Sequence, residues 1–257
     1  MTETDQTEEA VLVERQGRVM VITLNRPEAM NAINGALSHG LWNAIQELDN
    51  DPSLTAGVIT GAGRGFCSGM DLKAFARGED IGPLNEFVRS GSKKPLVAAI
   101  EGFAIAGGCE IALTTDLLVA AKGAKIGIRE VKVGLFAGAG GLFRLPSRVG
   151  YAKAMEMAVT GDPITAEEAK DAGMVTEVTE PGEALAAAIA LAERIAKNAP
   201  LAVAASKTLV RAAVMGYNEE ELWEMQTPLM REVFSSNDAK EGPKAFAEKR
   251  DPEWTGT

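Results

Sequence analysis

The chain has 257 residues, 46% of them hydrophobic and 24% charged, which suits a soluble protein with one large core. A formal charge of -10 without a long Lys/Arg run argues against a nucleic-acid binder, which needs a basic face for phosphate. No apolar run approaches the roughly 18 residues of a membrane span, and the two distant cysteines, Cys67 and Cys109, read as free thiols of a reducing, cytoplasmic setting.

The acidic opening MTETDQTEEA lacks the features of a transit or signal peptide and reads as a frayed tail. Val11 to Val13 and Val19 to Leu24 are β-branched runs that predict an opening hairpin. Leu37, Leu41, Ile45 and Leu48 recur at helical spacing behind Asn34, which predicts a helix from Asn34 to Asp49 capped by that asparagine. His39, the only histidine, lies off that apolar stripe and is expected to face solvent. Strands are expected at Ala56 to Thr60, Leu96 to Ile100, Leu117 to Ala121 and Lys125 to Ile128, with a helix at Gly107 to Thr115. This alternation predicts an α/β protein of stacked ββα units or a parallel sheet.

Beyond Gly138 strand signals fade, and Met174 to Val178 is the last strand predicted. Helices are expected at Glu183 to Asn198, Leu201 to Met215, Asn218 to Phe234 and Asp238 to Lys249, with Pro200 marking the boundary of an all-helical C-terminal part. Met215, Leu222, Met225, Leu229, Met230 and Phe234 give that part an apolar surface, which fits helix packing on the core as well as a subunit interface.

Two glycine-rich turns, Gly61-Ala62-Gly63-Arg64-Gly65 and Gly138-Ala139-Gly140-Gly141, do not complete a dinucleotide fingerprint, since Phe143 stands where the third glycine of the later one would be. Neither contains a phosphate-loop Gly-Lys-Ser/Thr, and no His/Cys/Asp/Glu cluster has metal-ligand spacing. Two glutamates look like a two-carboxylate active site, although a lone glutamate in a helical first turn is more often a solvated residue that the dipole favours. Glu110, in Gly107-Gly108-Cys109-Glu110, opens a predicted helix where free N–H groups and the dipole favour negative charge. Glu130 follows 20 residues later in another glycine-punctuated stretch. Sequence distance alone does not bring the two together.

Residues 101 to 150, with Glu110, Glu130 and the segment Phe66 to Lys73, resemble the centre of the enoyl-CoA hydratase/isomerase, or crotonase, family. The resemblance implies a spiral of ββα units over residues 1–199, holding an acyl-CoA site, and a helical trimerisation region over 200–257. It implies that the amides of Met70 and Gly107 hold a thioester oxygen, each worth about 3 kcal/mol to a developing enolate. Glu110 and Glu130 fall on the family's two catalytic glutamates: Glu110 would activate water, Glu130 would protonate the α-carbon, and the Gly138 N–H would meet the same water. Ser68, Asp71, Leu72 and Lys73 would contact substrate, Lys73 near the 3′-phosphate of coenzyme A, and Phe246 and Lys249 would close over the nucleotide, often from a neighbouring subunit. The glycines at 107 and 108 would let the thioester approach the backbone.

The implied function is reversible hydration of a 2-enoyl-CoA in a homotrimer or dimer of trimers, coenzyme A being part of the substrate and no separate cofactor being required. Isomerisation, carnitinyl-CoA dehydration on the same scaffold, and non-catalytic acyl-CoA binding stay open. The stretch Met70 to Ala74 and the Glu-Lys-Arg-Asp-Pro-Glu-Trp tail are similar to carnitinyl-CoA dehydratases. Three places depart from the family pattern, the first being Glu28 in Arg26-Pro27-Glu28-Ala29, where many relatives carry a basic or neutral residue close to coenzyme A. Phe136 in Leu135-Phe136-Ala137 is expected to narrow or redirect the acyl pocket, and Arg129 to depress the pKa of Glu130 or bind a polar acyl group.

Overall fold

Residues 9–257 are described in the computed structural model; the frayed acidic tail expected from the sequence lies, through residue 8, outside them. Strands β1 (Val11–Gln16) and β2 (Val19–Leu24) form the opening hairpin, turned at Gly17 with φ 57°. Helix α1 (Gly35–Asn50) buries Leu37, Leu41, Ile45 and Leu48, and the Asn34 side chain accepts from Leu37 N–H at 3.0 Å. Strand β3 (Ala56–Gly61) follows, then two short helices, α2 (Leu72–Ala76) and α3 (Gly82–Ser90). β4 (Leu96–Ile100), β5 (Phe103–Ile105), α4 (Gly107–Thr114), β6 (Leu117–Ala121) and β7 (Lys125–Gly127) complete the alternating part.

Six strands form one sheet in the order β1-β2-β3-β4-β6-β9, where β9 is Glu177–Thr179. Only β1 runs antiparallel to its neighbour. Both faces of its central strands are buried, which is why β4 and β6 read as continuous apolar runs rather than alternating ones. Leu96, Ala98 and Ile100 face the main core with α1, whereas Val97 and Ala99 face helix α8 (Ala184–Ala196). Ala184, Ala188 and Ala192 line one stripe of α8, so the helix backbone lies close over the sheet. A second, three-stranded sheet, β5-β7-β8, stands beside the first, with β8 the two-residue strand Ile164–Thr165.

Between the sheets and α8 run a 3-10 turn at Glu130–Val133, α5 (Gly141–Val149), α6 (Tyr151–Thr160) and α7 (Ala166–Asp171). Met174 and Val175 are buried without being strand, so the last strand of the large sheet begins three residues later than their apolarity predicts. Their side chains plug the core beneath a loop. Likewise Ile128 lies past the end of β7.

Pro200 occupies the first turn of α9 (Pro200–Val214), where its missing N–H costs nothing. α9 is tied to the core by Lys207, which pairs with Asp116 at 2.8 Å and donates to the Lys94 carbonyl at 2.7 Å. α10 (Glu219–Ser235) packs on α9, and α11 (Asp238–Glu248) packs on α10. No residue of α10 is buried, and Trp223, Met230 and Phe234 are exposed.

Candidate functional site

Two chain segments meet where the large sheet ends. Residues 67–71 lie parallel to Ile33 on one side and to Ala104 on the other. The bonds are Ile33 N–H to Gly69 O at 2.8 Å, Asp71 N–H to Ile33 O at 2.9 Å and Ile105 N–H to Cys67 O at 3.0 Å. Gly69, at φ +97°, packs on Ala106 and Gly107 so closely that a Cβ there would lie 2.8 Å from the Ala106 methyl. Ala106 itself holds φ 52°, ψ -127°, a strained conformation for a residue with a side chain. That reversal launches α4, and its first amide, Gly107 N–H, points away from the helix without an intrahelical acceptor. Among the described residues neither Met70 N–H nor Gly107 N–H donates to any protein acceptor. A Cβ on Gly107 would sit 3.8 Å from Met70 N, so the two amides are near neighbours. The glycine at 108 has a different reason from the ligand approach expected of it. A Cβ there would meet the Cys67 carbonyl oxygen at 2.3 Å, so glycine is what lets the two segments touch.

Glu110 is 4% exposed in the first turn of α4. Its Oε1 accepts Ala139 N–H at 2.8 Å and Gly141 N–H at 2.9 Å, which aims the rest of the carboxylate outward from the glycine loop. Glu130 stands at the start of the 3-10 turn, and its Oε2 is buried with no hydrogen-bond partner among the described residues. Burial pushes Glu110 up to about 7; the Gly141 amide opposes this, and the negative charge of Glu130 adds to it. Burial also raises Glu130. The two carboxyls therefore feel each other and titrate as a pair. An apolar cavity of about 400 Å³ opens beside Glu130, walled by Ile128, Phe136, Leu142, Tyr151 and Met155.

Arg129 does not act as its place in the sequence suggests. It is exposed, and the Glu130 pKa is raised, not depressed, because desolvation dominates there. Cys67 is pushed up to about 12 by burial, and Cys109 is raised further in the same way, so both are inert thiols of the core. His39 is exposed and lies 3.1 Å from Asp80.

A raised carboxyl weakens the fold at high pH. Between the unfolded value of 4.5 and the folded value of about 7, the folded chain holds a proton that the unfolded chain has released. Stability falls as pH rises through that window, and the whole cost, about 3 kcal/mol, is present above it. Glu110→Gln keeps an oxygen for the two amides and removes the charge. We expect it to unfold at higher denaturant concentration than wild type above pH about 7, with the difference vanishing below about 4.5. Urea titrations at the two ends of the window check this.

The remaining candidates are placed as follows. Ser68 N–H is engaged by Met30 O at 3.1 Å, and Asp71 caps α2 through Lys73 and Ala74 N–H, both 3.1 Å, while pairing with Arg26 at 3.2 Å. Asp71→Ala is expected to cost about 1–2 kcal/mol through the lost cap, read in a urea midpoint. Leu72 and Lys73 are exposed at the start of α2, beside the free amides. Gly138 is exposed on the loop that holds Glu110, and its own N–H is unengaged among the described residues. Phe246 is 88% exposed on α11, which packs on α10, and Lys249 caps that helix at φ 56°. Sequence reasoning missed Ala139, Gly141 and Arg144, the last of which donates to the Ala139 carbonyl at 3.1 Å. The signal was present in Gly138-Ala139-Gly140-Gly141, a loop entering a helix whose first amides lack partners.

Sheet order, the second small sheet and the C-terminal helices define a crotonase-like α/β protein. The chain belongs to the enoyl-CoA hydratase/isomerase family, whose profile matches residues 14–257. It is 41% identical to the enoyl-CoA hydratase EchA19 of Mycobacterium tuberculosis over 256 residues, covering 94% of each chain. It is also 41% identical to a carnitinyl-CoA dehydratase of Salmonella arizonae over 261 residues, 96% of this chain and 99% of that one. Among solved structures, an enoyl-CoA hydratase from Mycobacterium tuberculosis superposes with a TM-score of 0.94 at 52% identity, over 97% of this chain and 100% of the other.

Proposed function

We propose that this protein catalyses the reversible syn hydration of a 2-enoyl-CoA thioester to a 3-hydroxyacyl-CoA. What supports the reading is the buried Glu110, whose pKa is raised by burial and by the charge of Glu130, the buried and unpartnered Oε2 of Glu130, and two neighbouring backbone amides, Met70 and Gly107, that have no acceptor among the described residues. The amides receive the thioester oxygen and stabilise the enolate that forms when C3 is attacked. Glu110, held as an acceptor by Ala139 and Gly141, is the anion that takes a proton from water as its oxygen bonds to C3. Glu130, with an unsolvated oxygen beside an apolar cavity, is the neutral acid that delivers its proton to C2. Gly138 N–H orients the water. The net change is one water added across the double bond, and the proton gained by Glu110 replaces the one lost by Glu130 through solvent.

Ser68, Asp71, Leu72 and Lys73 line the thioester's approach, with the exposed Lys73 ammonium available to phosphate. Pro200 divides the acyl-CoA-binding core from a helical assembly region. The exposed Trp223, Met230 and Phe234 of α10 suit burial in a homotrimer or dimer of trimers, which would carry Phe246 and Lys249 toward a neighbour's nucleotide. No helix among the described residues is long and apolar enough to cross a membrane, and we read the enzyme as cytoplasmic.

The test is the ultraviolet absorbance of the conjugated thioester when crotonyl-CoA meets the protein. Hydration lowers it toward an equilibrium that the product approaches from the other side. An isomerase would instead raise absorbance from a 3-enoyl-CoA and leave crotonyl-CoA intact. Carnitinyl-CoA dehydration is the second reading, favoured by the 41% identical relative, and conversion of that thioester with no turnover of crotonyl-CoA would select it.

A further inference from the structure

We infer that Arg144 is a positioning residue for Glu110, its guanidinium clamping the 138–141 loop whose amides hold the carboxylate. Ala139 is gripped on both sides: its N–H donates to Glu110 Oε1 at 2.8 Å and its carbonyl accepts from Arg144 Nη1 at 3.1 Å. The other guanidinium nitrogen, Nη2, donates to the Val88 carbonyl in the last turn of α3. The fork therefore joins α5, the glycine loop and α3. Gly140, at φ +97°, leaves the space it needs, since a Cβ there would lie 2.2 Å from Nη1.

The choice of a cation for this job is what points beyond packing. Arg144 has no carboxylate within ion-pair distance among the described residues, and burial and the charges of Arg211 on α9 and Arg148 on its own helix all oppose its charge. Among the charged groups around it only Glu110 favours it, and the face of the Phe143 ring lies 5.3 Å from the guanidinium. A half-buried guanidinium kept without a salt bridge carries a desolvation cost, and a neutral donor could bond the same carbonyls. The charge acts on Glu110, where it favours the anion against burial and against Glu130.

The inference rests on Glu110 acting as the base, and its test separates the two. Arg144→Gln is expected to lower kcat for crotonyl-CoA about tenfold to hundredfold with little change in KM, because the base is misplaced rather than the substrate released. Removing the cation raises the Glu110 pKa further, so the acid limb of the pH–rate profile moves to higher pH. Arg144→Lys keeps the charge and loses the two-carbonyl fork, and should leave the acid limb near that of wild type while kcat stays reduced. Added guanidinium ion should partly restore Arg144→Ala. The Glu110 carboxyl is also titrated directly by carbon-13 NMR, assigned with Glu110→Gln, which needs no turnover.

A folded Arg144→Gln with wild-type kcat and an unmoved Glu110 titration would overturn the inference. So would equal losses in the Gln and Lys variants with no shift and no rescue by guanidinium, the pattern of a purely structural residue. If Arg144→Gln does not fold, full wild-type kcat in Arg144→Lys overturns the clamp by itself. A wild type without turnover would remove the hydratase reading, and the NMR titration would still decide whether Arg144 sets Glu110.

Discussion

Glu110→Gln and Glu130→Gln are each expected to fold, bind acyl-CoA and hydrate crotonyl-CoA about 10²–10⁴-fold more slowly than wild type. The change is isosteric, and in Glu110→Gln the side-chain amide oxygen can still accept the Ala139 and Gly141 amides, so what is lost is proton transfer and not architecture. The pH dependence distinguishes the two. In wild type one proton is shared by the pair, so activity falls at low pH as the base becomes protonated and at high pH as the acid loses its proton. Glu130→Gln deletes the high-pH limb. Glu130 is neutral on the acid limb and the burial that mainly raises Glu110 is untouched, so the surviving acid limb should stay near its wild-type position. Glu110→Gln leaves residual activity that declines as pH rises. Stopped-flow or steady-state kinetics across pH, with acyl-CoA binding measured in parallel, checks both variants.

Gly108→Ala is expected to lower kcat about 100-fold or more while also destabilising the fold, although the glycine touches no substrate in the proposed mechanism. The added methyl would lie 2.3 Å from the Cys67 carbonyl oxygen and 2.8 Å from its Cβ, and Gly108 is buried, so neither side can swing away. The segments carrying Met70 and Gly107 must part. The two amides would then no longer converge on one oxygen. Gly107→Ala makes a useful comparison, because its methyl meets the end of the Ile33 side chain at 2.9 Å, which can rotate. The smaller loss should fall on Gly107→Ala, measured by kcat and by urea midpoint. Equal effects would mean that the contact at 108 does not set the amide geometry.

Local patterns were legible where a residue and its consequence lie close in sequence. Asn34 predicts the start of α1, and its side chain does bond the third helical amide. The four C-terminal helices were readable from period and caps to within two residues, with Asn218 forming a capping box. The path through 72–90 was not, because α2 is one turn held by Asp71 and α3 begins at Gly82-Pro83 behind Ile81, which supplies no side-chain cap. Met174 and Val175 show the converse, apolar residues whose burial comes from a loop folding under the core.

For the site, Glu110 in a helical first turn was visible, whereas its partners 29 and 31 residues away were not. Arg129 shows why adjacency misleads. Consecutive residues point in different directions, and desolvation of Glu130 is set by the walls of the cavity, not by the neighbouring cation. Arg144 was hidden for the same reason, since its role depends on Val88, far back in the chain.

The most direct measurement is hydration of crotonyl-CoA by the wild-type protein in heavy-oxygen water and, separately, in deuterium oxide, with the product analysed by mass spectrometry and NMR. Syn hydration by the two glutamates predicts one solvent oxygen at C3 and one solvent deuterium at C2, added to the same face, at a rate that both glutamine variants lose. Crotonyl-CoA bound and recovered without solvent oxygen, or labelled equally fast by Glu110→Gln, would contradict it.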